Sequence, residues 1–279
     1  FMSMILPIAV MLMQVGIDPR GGQVPGIPEE LRNRPPRDAT ASALPTPAPP
    51  PARLSGCLAS VASGPASAIE TATDWLESAS GIERAQAGHC LGVAQAESGD
   101  WKAAAASFTA ARASVPASNT SYRARLGALG GAAALAAGDA SAALALLDAA
   151  RGEAANSGAL AGEIAIDRAR ALVALNRPAE AALALGEARA ANPGDGQAWL
   201  LSATLSRRQG DLVSAQAQIE KAATLAPQDP AVGLEAGVIA ALGGKEAAAR
   251  LSFESVIALA PQTEQAAAAR AYLAQLDPR

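Results

Sequence analysis

Residues 193–227 read PGDGQAWLLSATLSRRQGDLVSAQAQIEKAATLAP, and residues 227–261 read PQDPAVGLEAGVIAALGGKEAAARLSFESVIALAP. Pro193, Pro227 and Pro261 therefore follow one another at a constant spacing of 34 residues. Self-similarity at such a spacing is typical of solenoids, in which each repeat is one supersecondary unit that stacks on its neighbours. The period therefore predicts a binding scaffold rather than an active site.

One unit of this pattern reads as a helix, a turn and a second helix. Before Pro227 stand the small residue Ala203, the turn residue Gly210 and the larger apolar residue Ile219. We expect the small residue where two antiparallel helices approach closely, and the larger one where the second helix fills the gap between units. Gly210 predicts the end of the first helix, because glycine enters the left-handed conformation at little cost. Asp211 follows it and predicts a cap for the second helix.

The same offsets recur in five units, which close at Pro116, Ala155, Pro193, Pro227 and Pro261. The spacings on either side of Ala155 are 39 and 38 residues, so we expect extra residues there in a loop or in a lengthened helix. The predicted turn residues are Gly99, Gly138, Asn176, Gly210 and Gly244. The small residues are Gly92, Gly131, Ala169, Ala203 and Gly237, and the large apolar residues are Phe108, Leu147, Leu185, Ile219 and Phe253.

This pattern resembles the tetratricopeptide repeat family, whose 34-residue unit has small and large apolar residues at fixed offsets and a terminal proline. The resemblance covers roughly residues 85–261, and we expect a bacterial member of the family. Trp199 stands where the family favours a tryptophan, whereas the other four units have glycine or alanine there. The resemblance implies an all-α solenoid of about five helix-turn-helix repeats that acts as a non-catalytic scaffold. The low aromatic content of 3% agrees with closely packed, alanine-rich helices.

Changes of composition divide the chain into five segments. A break at Gly64 and Pro65 predicts an imperfect helix pair ahead of the array. The last segment predicts a helix that covers the open end of the array, with Tyr272, Leu273 and Leu276 as its buried contacts. The predicted segments are a signal-peptide-like segment (1–17), a Pro-rich disordered linker (18–52), the imperfect helix pair (53–84), the tetratricopeptide array (85–261) and the capping helix (262–279).

The N-terminal segment bears on localisation. Residues 2–13, MSMILPIAVMLM, are apolar but fall short of the roughly 20 apolar residues that a membrane-spanning helix needs. We interpret them as the core of a secretory signal peptide, which predicts a periplasmic or secreted protein. A cytoplasmic protein is the alternative, because no Lys or Arg precedes the apolar run and no A-x-A site follows it closely. In that case the apolar run results from a wrongly assigned translation start, or it is a loosely packed apolar arm.

The two cysteines, Cys57 and Cys90, lie 33 residues apart, one at the start of the helical region and one in the first repeat. Two cysteines on adjacent helices of an exported protein are a candidate disulfide. The alternative is a pair of buried free thiols that behave as small apolar residues.

Catalysis, cofactors and metals are not expected. His89 is the sole histidine, and its neighbour Cys90 points to another side of a helix, so the two do not form a base and nucleophile pair. One histidine and two cysteines also fall short of the four ligands of a structural zinc site. The turn at 243–245 lacks the preceding strand and the spacing of a phosphate-binding loop. A net charge of −4 and a pI near 5.2 argue against a nucleic acid partner.

The partner-binding groove follows from the resemblance, because in this family the first helices of the repeats line a concave face. Such a face suits an extended or helical peptide, with apolar side chains for affinity and arginines for carboxylates. For each residue the alternative is an ordinary contact between helices or a solvated charge. The groove residues are His89, Val93, Arg125, Ile166, Asp167, Arg170, Val173, Leu200, Thr204, Arg207, Leu234, Glu235 and Val238.

The sequence therefore predicts a protein-binding scaffold or adaptor in the bacterial cell envelope. The alternative is a cytoplasmic or membrane-associated assembly factor, similar to a co-chaperone, with the same array. An enzyme or metal-binding protein is a third possibility, for which the residues offer no chemistry. The identity of the partner and the oligomeric state are open, and membrane contact is expected only through an uncleaved N-terminus.

Overall fold

A computed structural model describes residues 51–154 and 157–276, and within these ranges all secondary-structure elements are α-helices. The signal-peptide-like segment and nearly all of the Pro-rich linker lie outside the described residues. The helices are α1 (Ala52–Val61), α2 (Pro65–Ser78), α3 (Gly81–Glu97), α4 (Trp101–Ala113), α5 (Thr120–Ala136), α6 (Ala140–Glu153), α7 (Gly158–Ala174), α8 (Pro178–Ala191), α9 (Gly196–Arg208), α10 (Leu212–Leu225), α11 (Pro230–Leu242), α12 (Glu246–Leu259) and α13 (Glu264–Leu276).

The helices pack in the order in which they follow one another along the chain. From α3 to α12 they form helical hairpins, α3 with α4, α5 with α6, α7 with α8, α9 with α10 and α11 with α12. The second helix of each hairpin also packs against the first helix of the next. The all-α repeat architecture predicted from the 34-residue period is confirmed.

The hairpin turns follow local chemistry that the sequence already contains. At each turn one residue has a positive φ, and the next residue donates its N–H to a carbonyl five residues back, as Asp211 does to Ser206 at 2.9 Å. This is the Schellman ending of a helix, which glycine or asparagine favours. The carboxylate of Asp211 then accepts the N–H of Ser214 at 3.0 Å and caps α10, as predicted. The positive φ values are 80° at Gly99, 79° at Gly138, 56° at Asn176, 82° at Gly210 and 71° at Gly244.

Four of the extra residues in each longer spacing lie in a lengthened first helix. The first helices α5 and α7 have 17 residues each, whereas α9 and α11 have 13. The second helices vary by a single residue, between 13 and 14. A lengthened helix therefore accounts for all of the added length in the 38-residue spacing and for all but one residue of it in the 39-residue spacing.

Small residues allow the two helices of a hairpin to approach closely. A Cβ atom added to Gly237 would lie 2.3 Å from the ring of Phe253, and one added to Gly92 would lie 2.7 Å from the ring of Phe108. Opposite an aliphatic side chain the small residue is either glycine or alanine. The corresponding pairs are Gly131 with Leu147, Ala169 with Leu185, and Ala203 with Ile219.

Ion pairs connect successive hairpins. The carboxylate of Glu153, at the end of α6, lies 2.9 Å from Arg112 and 2.7 Å from Arg123. These three side chains are only 17–21% exposed. Because little water reaches them, each charge is stabilised mainly by its ion pair. Arg168 of α7 pairs in the same way with Asp148 of α6 at 2.7 Å.

The N-terminal helices α1 and α2 pack together, and α1 also packs against α3. Cys57 of α1 and Cys90 of α3 form a disulfide with a Cα–Cα distance of 6.1 Å, and both are buried. Trp75 of α2 is 2% exposed, and the guanidinium of Arg53 lies 4.3 Å from its ring centroid. Helix α3 begins at Gly81, four residues before the boundary expected for the array.

Helix α13 packs against α11 and α12. Its fully buried residues are Ala266 and Ala269, and of the contacts that the sequence indicated, Leu273 and Leu276 are half-buried and pack against the same cluster. Tyr272 is 38% exposed and stacks on Phe253 with a centroid distance of 5.4 Å. Alanines lie at the contact because they let this helix approach α11 and α12 closely.

Candidate binding surface on the first helices

The first helices α3, α5, α7, α9 and α11 carry all thirteen residues expected to line the groove. Two of these residues are core positions and not groove positions. Ile166 is 5% exposed and packs with Ala188 and Ala198, and Leu200 is 7% exposed and packs in the cluster around Ile219. Both side chains are directed at neighbouring helices, which corrects their assignment.

The other residues of the expected groove keep some exposure. Arg125 and Arg170 are exposed. Arg207 and Glu235 pair with each other at 2.6 Å and so link α9 to α11. The charges of both side chains are therefore already neutralised by this ion pair. The half-buried residues are His89, Val93, Asp167, Val173, Thr204, Arg207, Leu234, Glu235 and Val238.

His89 forms a contact between two hairpins. Its Nδ1 lies 3.2 Å from the hydroxyl of Tyr122 on α5, and its ring meets Phe108 edge-on with a centroid distance of 6.2 Å. Burial, and secondarily the charge of Arg125, lower the pKa of His89 from 6.5 to about 4. Burial also raises the pKa of Tyr122 to about 12. Both groups are therefore neutral at neutral pH.

A cleft of about 200 Å³ lies between α7 and α9, with α8 at its base. Three residues of the expected groove meet there, namely Arg170, Val173 and Thr204. Leu201 was not among the predicted groove residues, although the adjacent Leu200 was, and neighbouring residues point about 100° apart on a helix. The lining residues are Ala169, Arg170, Val173, Leu185, Leu201, Thr204, Leu205 and Arg208.

The floor of the cleft is aliphatic and its rim is cationic. The guanidinium of Arg170 lies 2.7 Å from the carboxylate of Asp167, and burial raises the pKa of Asp167 while its bond to Arg170 opposes that rise. Arg208 is exposed and has no ion pair within the part of the chain that the structure describes. The hydroxyl of Thr204 donates to the carbonyl of Leu200 at 3.1 Å. The cleft therefore offers an apolar wall and two guanidinium groups.

A larger hollow, of about 380 Å³, lies on the side of the second helices. Its lining includes Val213, which is 84% exposed, together with the oppositely charged Glu220 and Lys245. Leu183 and Leu251 are also exposed on second helices, at 70% and 68%. Because its lining contains one acidic and one basic residue, this hollow favours neither an acidic nor a basic partner.

Within residues 51–154 and 157–276, no group of three or more His, Cys, Asp or Glu side chains is placed to hold a metal ion. The helices of the same ranges are each too short or too polar to cross a bilayer.

Comparisons with known proteins place the fold. No family model matches the chain, and no curated protein does. Among solved structures, a tetratricopeptide repeat protein from Parabacteroides merdae matches with a TM-score of 0.64 and 18% identity, over 80% of this chain and 85% of that chain. PilW, described as a widely conserved type IV pilus biogenesis factor, matches with a TM-score of 0.63 and 15% identity, over 78% and 98%. YrrB, described as a tetratricopeptide repeat protein with an unusual peptide-binding site, matches with a TM-score of 0.52 and 19% identity, over 73% of this chain and 99% of that chain.

Proposed function

Because the chain has the fold of the tetratricopeptide repeat proteins, we propose that it is a non-catalytic scaffold that binds a protein or peptide partner on its first-helix surface. The observation that carries this proposal is the cleft between α7 and α9. It combines an aliphatic wall with two arginines on the same surface.

The volume of the cleft supports a peptide rather than a small molecule. Pockets that enclose a free ligand usually measure about 300–1,000 Å³. The cleft holds about 200 Å³. It suits one side chain of a longer segment, whose remaining residues would lie along the neighbouring first helices.

We further propose that the five hairpins from α3 to α12 are the repeats, and that the α1–α2 pair and α13 close the two ends. Three features recur in every hairpin and support this count: a residue of positive φ, a Schellman ending and a small residue opposite a large one. Ala266 and Ala269 of α13 cover the cluster around Phe253, which otherwise would face solvent.

The proposed location is an oxidising compartment of the cell envelope. The disulfide between Cys57 and Cys90 is buried, and disulfides persist mainly in oxidising compartments. The signal-like residues 2–13 agree with export. Intact mass and thiol alkylation of the protein from its native host test this: a chain that retains residues 2–13 and has two free thiols would instead favour the cytoplasmic alternative.

Site-specific photo-crosslinking in the native host tests the binding surface. A photoreactive phenylalanine analogue replaces Thr204 in the cleft, and a matched variant carries it at Leu183 on the outer side of α8. We expect a discrete crosslinked protein or peptide from position 204 and none from position 183. Crosslinks from the outer position alone would place the interaction on the second helices and contradict the proposal.

A further inference from the structure

We infer that the cleft between α7 and α9 accepts an apolar side chain that stands near an acidic residue in the partner's sequence. This inference rests on the proposed function, since it names the chemistry of a partner for the same surface. The occupant is therefore a segment of another protein in which Leu, Ile, Met or Phe is flanked by Asp or Glu.

The wall of the cleft selects an apolar group. Val173, Leu201 and Leu205 supply aliphatic surface, and Leu185 closes the base. The only hydroxyl among the lining residues belongs to Thr204, and its hydrogen is already donated to the carbonyl of Leu200. A polar side chain placed against this wall would lose its water without gaining a hydrogen-bond partner there, whereas an apolar one gains from burial.

The rim of the cleft selects a negative charge. Arg208 has no acidic partner within the described ranges, and Arg170 uses one of its five N–H donors on Asp167. Guanidinium groups bind carboxylates with short, charge-assisted hydrogen bonds. The adjacent Arg207 does not contribute, because it lies outside the lining of the cleft and two of its N–H groups bind the carboxylate of Glu235, at 2.6 and 3.2 Å. The guanidinium of Arg208, which has no ion pair within the described ranges, and the remaining N–H donors of Arg170 thus favour an acidic segment at this cleft.

The two arginines also set where the acid lies relative to the apolar residue. Arg170 is on α7 and Arg208 is on α9, so one guanidinium stands on each helix that borders the cleft. An apolar side chain seated between the helices places the residues before and after it near these groups. We therefore expect the acidic residue within a few positions of the apolar one.

A randomised peptide display library, selected on the immobilised full-length protein, tests this inference. We expect the enriched sequences to pair an apolar residue with Asp or Glu. One enriched peptide is then synthesised with a fluorophore, and its affinity is measured by anisotropy against the wild type and three variants. Arg208→Glu should weaken binding by about tenfold or more, since a hydrogen-bonded charge is replaced by a repulsive one.

The other two variants separate the contributions. Thr204→Phe fills the cleft and should abolish binding, and Thr204→Met replaces it if the larger side chain prevents folding. Lys221→Glu makes the same change of net charge on an exposed position of α10, and its affinity should stay within about twofold of the wild type.

The outcomes distinguish this inference from the proposed function. Peptides that require an unfilled cleft but show no acidic preference, and that bind Arg208→Glu normally, would overturn the inference and leave the scaffold proposal standing. Peptides that bind Thr204→Phe as well as the wild type would overturn the assignment of the cleft itself. The photo-crosslinking experiment then decides separately whether the first-helix surface binds a partner.

Discussion

The close approach of α11 and α12 leads to a quantitative prediction for Gly237→Ala. A methyl group at this position would lie 2.3, 2.6 and 2.8 Å from three ring atoms of Phe253. Ordinary van der Waals contacts of a Cβ begin near 3.4 Å, so the ring has to move by about 1 Å. Phe253 is 1% exposed and stacks on Tyr272 of α13, so the ring has little room to move.

The magnitude follows from two opposing effects. Overpacking of a well-filled core costs about 1–3 kcal/mol, and the short distances at three atoms place this case near the upper end. Alanine in place of glycine inside a helix restores about 1 kcal/mol of helix propensity. We therefore expect Gly237→Ala to lower the free energy of unfolding by about 1–2 kcal/mol.

Urea denaturation followed by far-UV circular dichroism measures the effect. Gly186→Ala is the matched control, because Gly186 also lies inside a helix but its added Cβ would meet nothing nearer than 4.0 Å. The control should be neutral or more stable by up to about 1 kcal/mol. The double variant Gly237→Ala with Phe253→Leu recreates the pairing of Ala169 with Leu185 and should recover part of the loss.

Two results would refute the reasoning. A Gly237→Ala protein as stable as the wild type would show that the ring has room to move, so that the small residue is not required by packing. An equal loss in Gly186→Ala would show that the cost comes from the helix backbone rather than from Phe253.

The remaining predictions concern the disulfide, an ion-pair network and a histidine. Replacement of Cys57 and Cys90 by alanine should lower the free energy of unfolding by about 3–4 kcal/mol, as read from urea curves, and a reducing agent should then have no further effect. Glu153→Gln should cost about 1–3 kcal/mol, because two half-buried arginines within 2.9 Å lose their carboxylate, and a loss no larger than that of an exposed Glu220→Gln would contradict this. The pKa of His89 is lowered from 6.5 to about 4, so the unfolded chain binds a proton that the folded chain does not, and stability should fall as pH drops from about 6.5 to 4. His89→Gln should remove this part of the pH dependence, and an NMR titration of the sole histidine with a midpoint near 6.5 would refute it.

Much of the fold was predictable because it depends on local chemistry at a fixed spacing. Gly210 and Gly244 end their helices because the left-handed conformation and the hydrogen bonds of the turn involve residues only a few positions apart. The small residue opposite a large one, such as Gly237 opposite Phe253, is likewise visible at a constant offset within one unit. The lengths of α5 and α7 were not predictable, since the spacing alone does not say whether added residues extend a helix or a loop.

The candidate surface was predictable only in outline. The sequence indicated the first helices, and Arg170, Val173 and Thr204 do meet in one cleft. It did not distinguish Leu200 from Leu201, because alanine-rich helices have apolar residues on several sides and their pattern barely marks which side is covered. Contacts between distant residues, such as His89 with Tyr122, depend on how the hairpins stack.

The sequence by itself therefore determined an all-α array, the positions of its turns and the pairing of small with large residues inside each hairpin. These features arise within about 34 residues and repeat along the chain, so one unit predicts the next. Only the tertiary structure decided which faces of the first helices remain open, which arginines are already paired and where the cleft lies. Those properties depend on the rotation of each helix against its neighbours, and packing of the whole array sets that rotation.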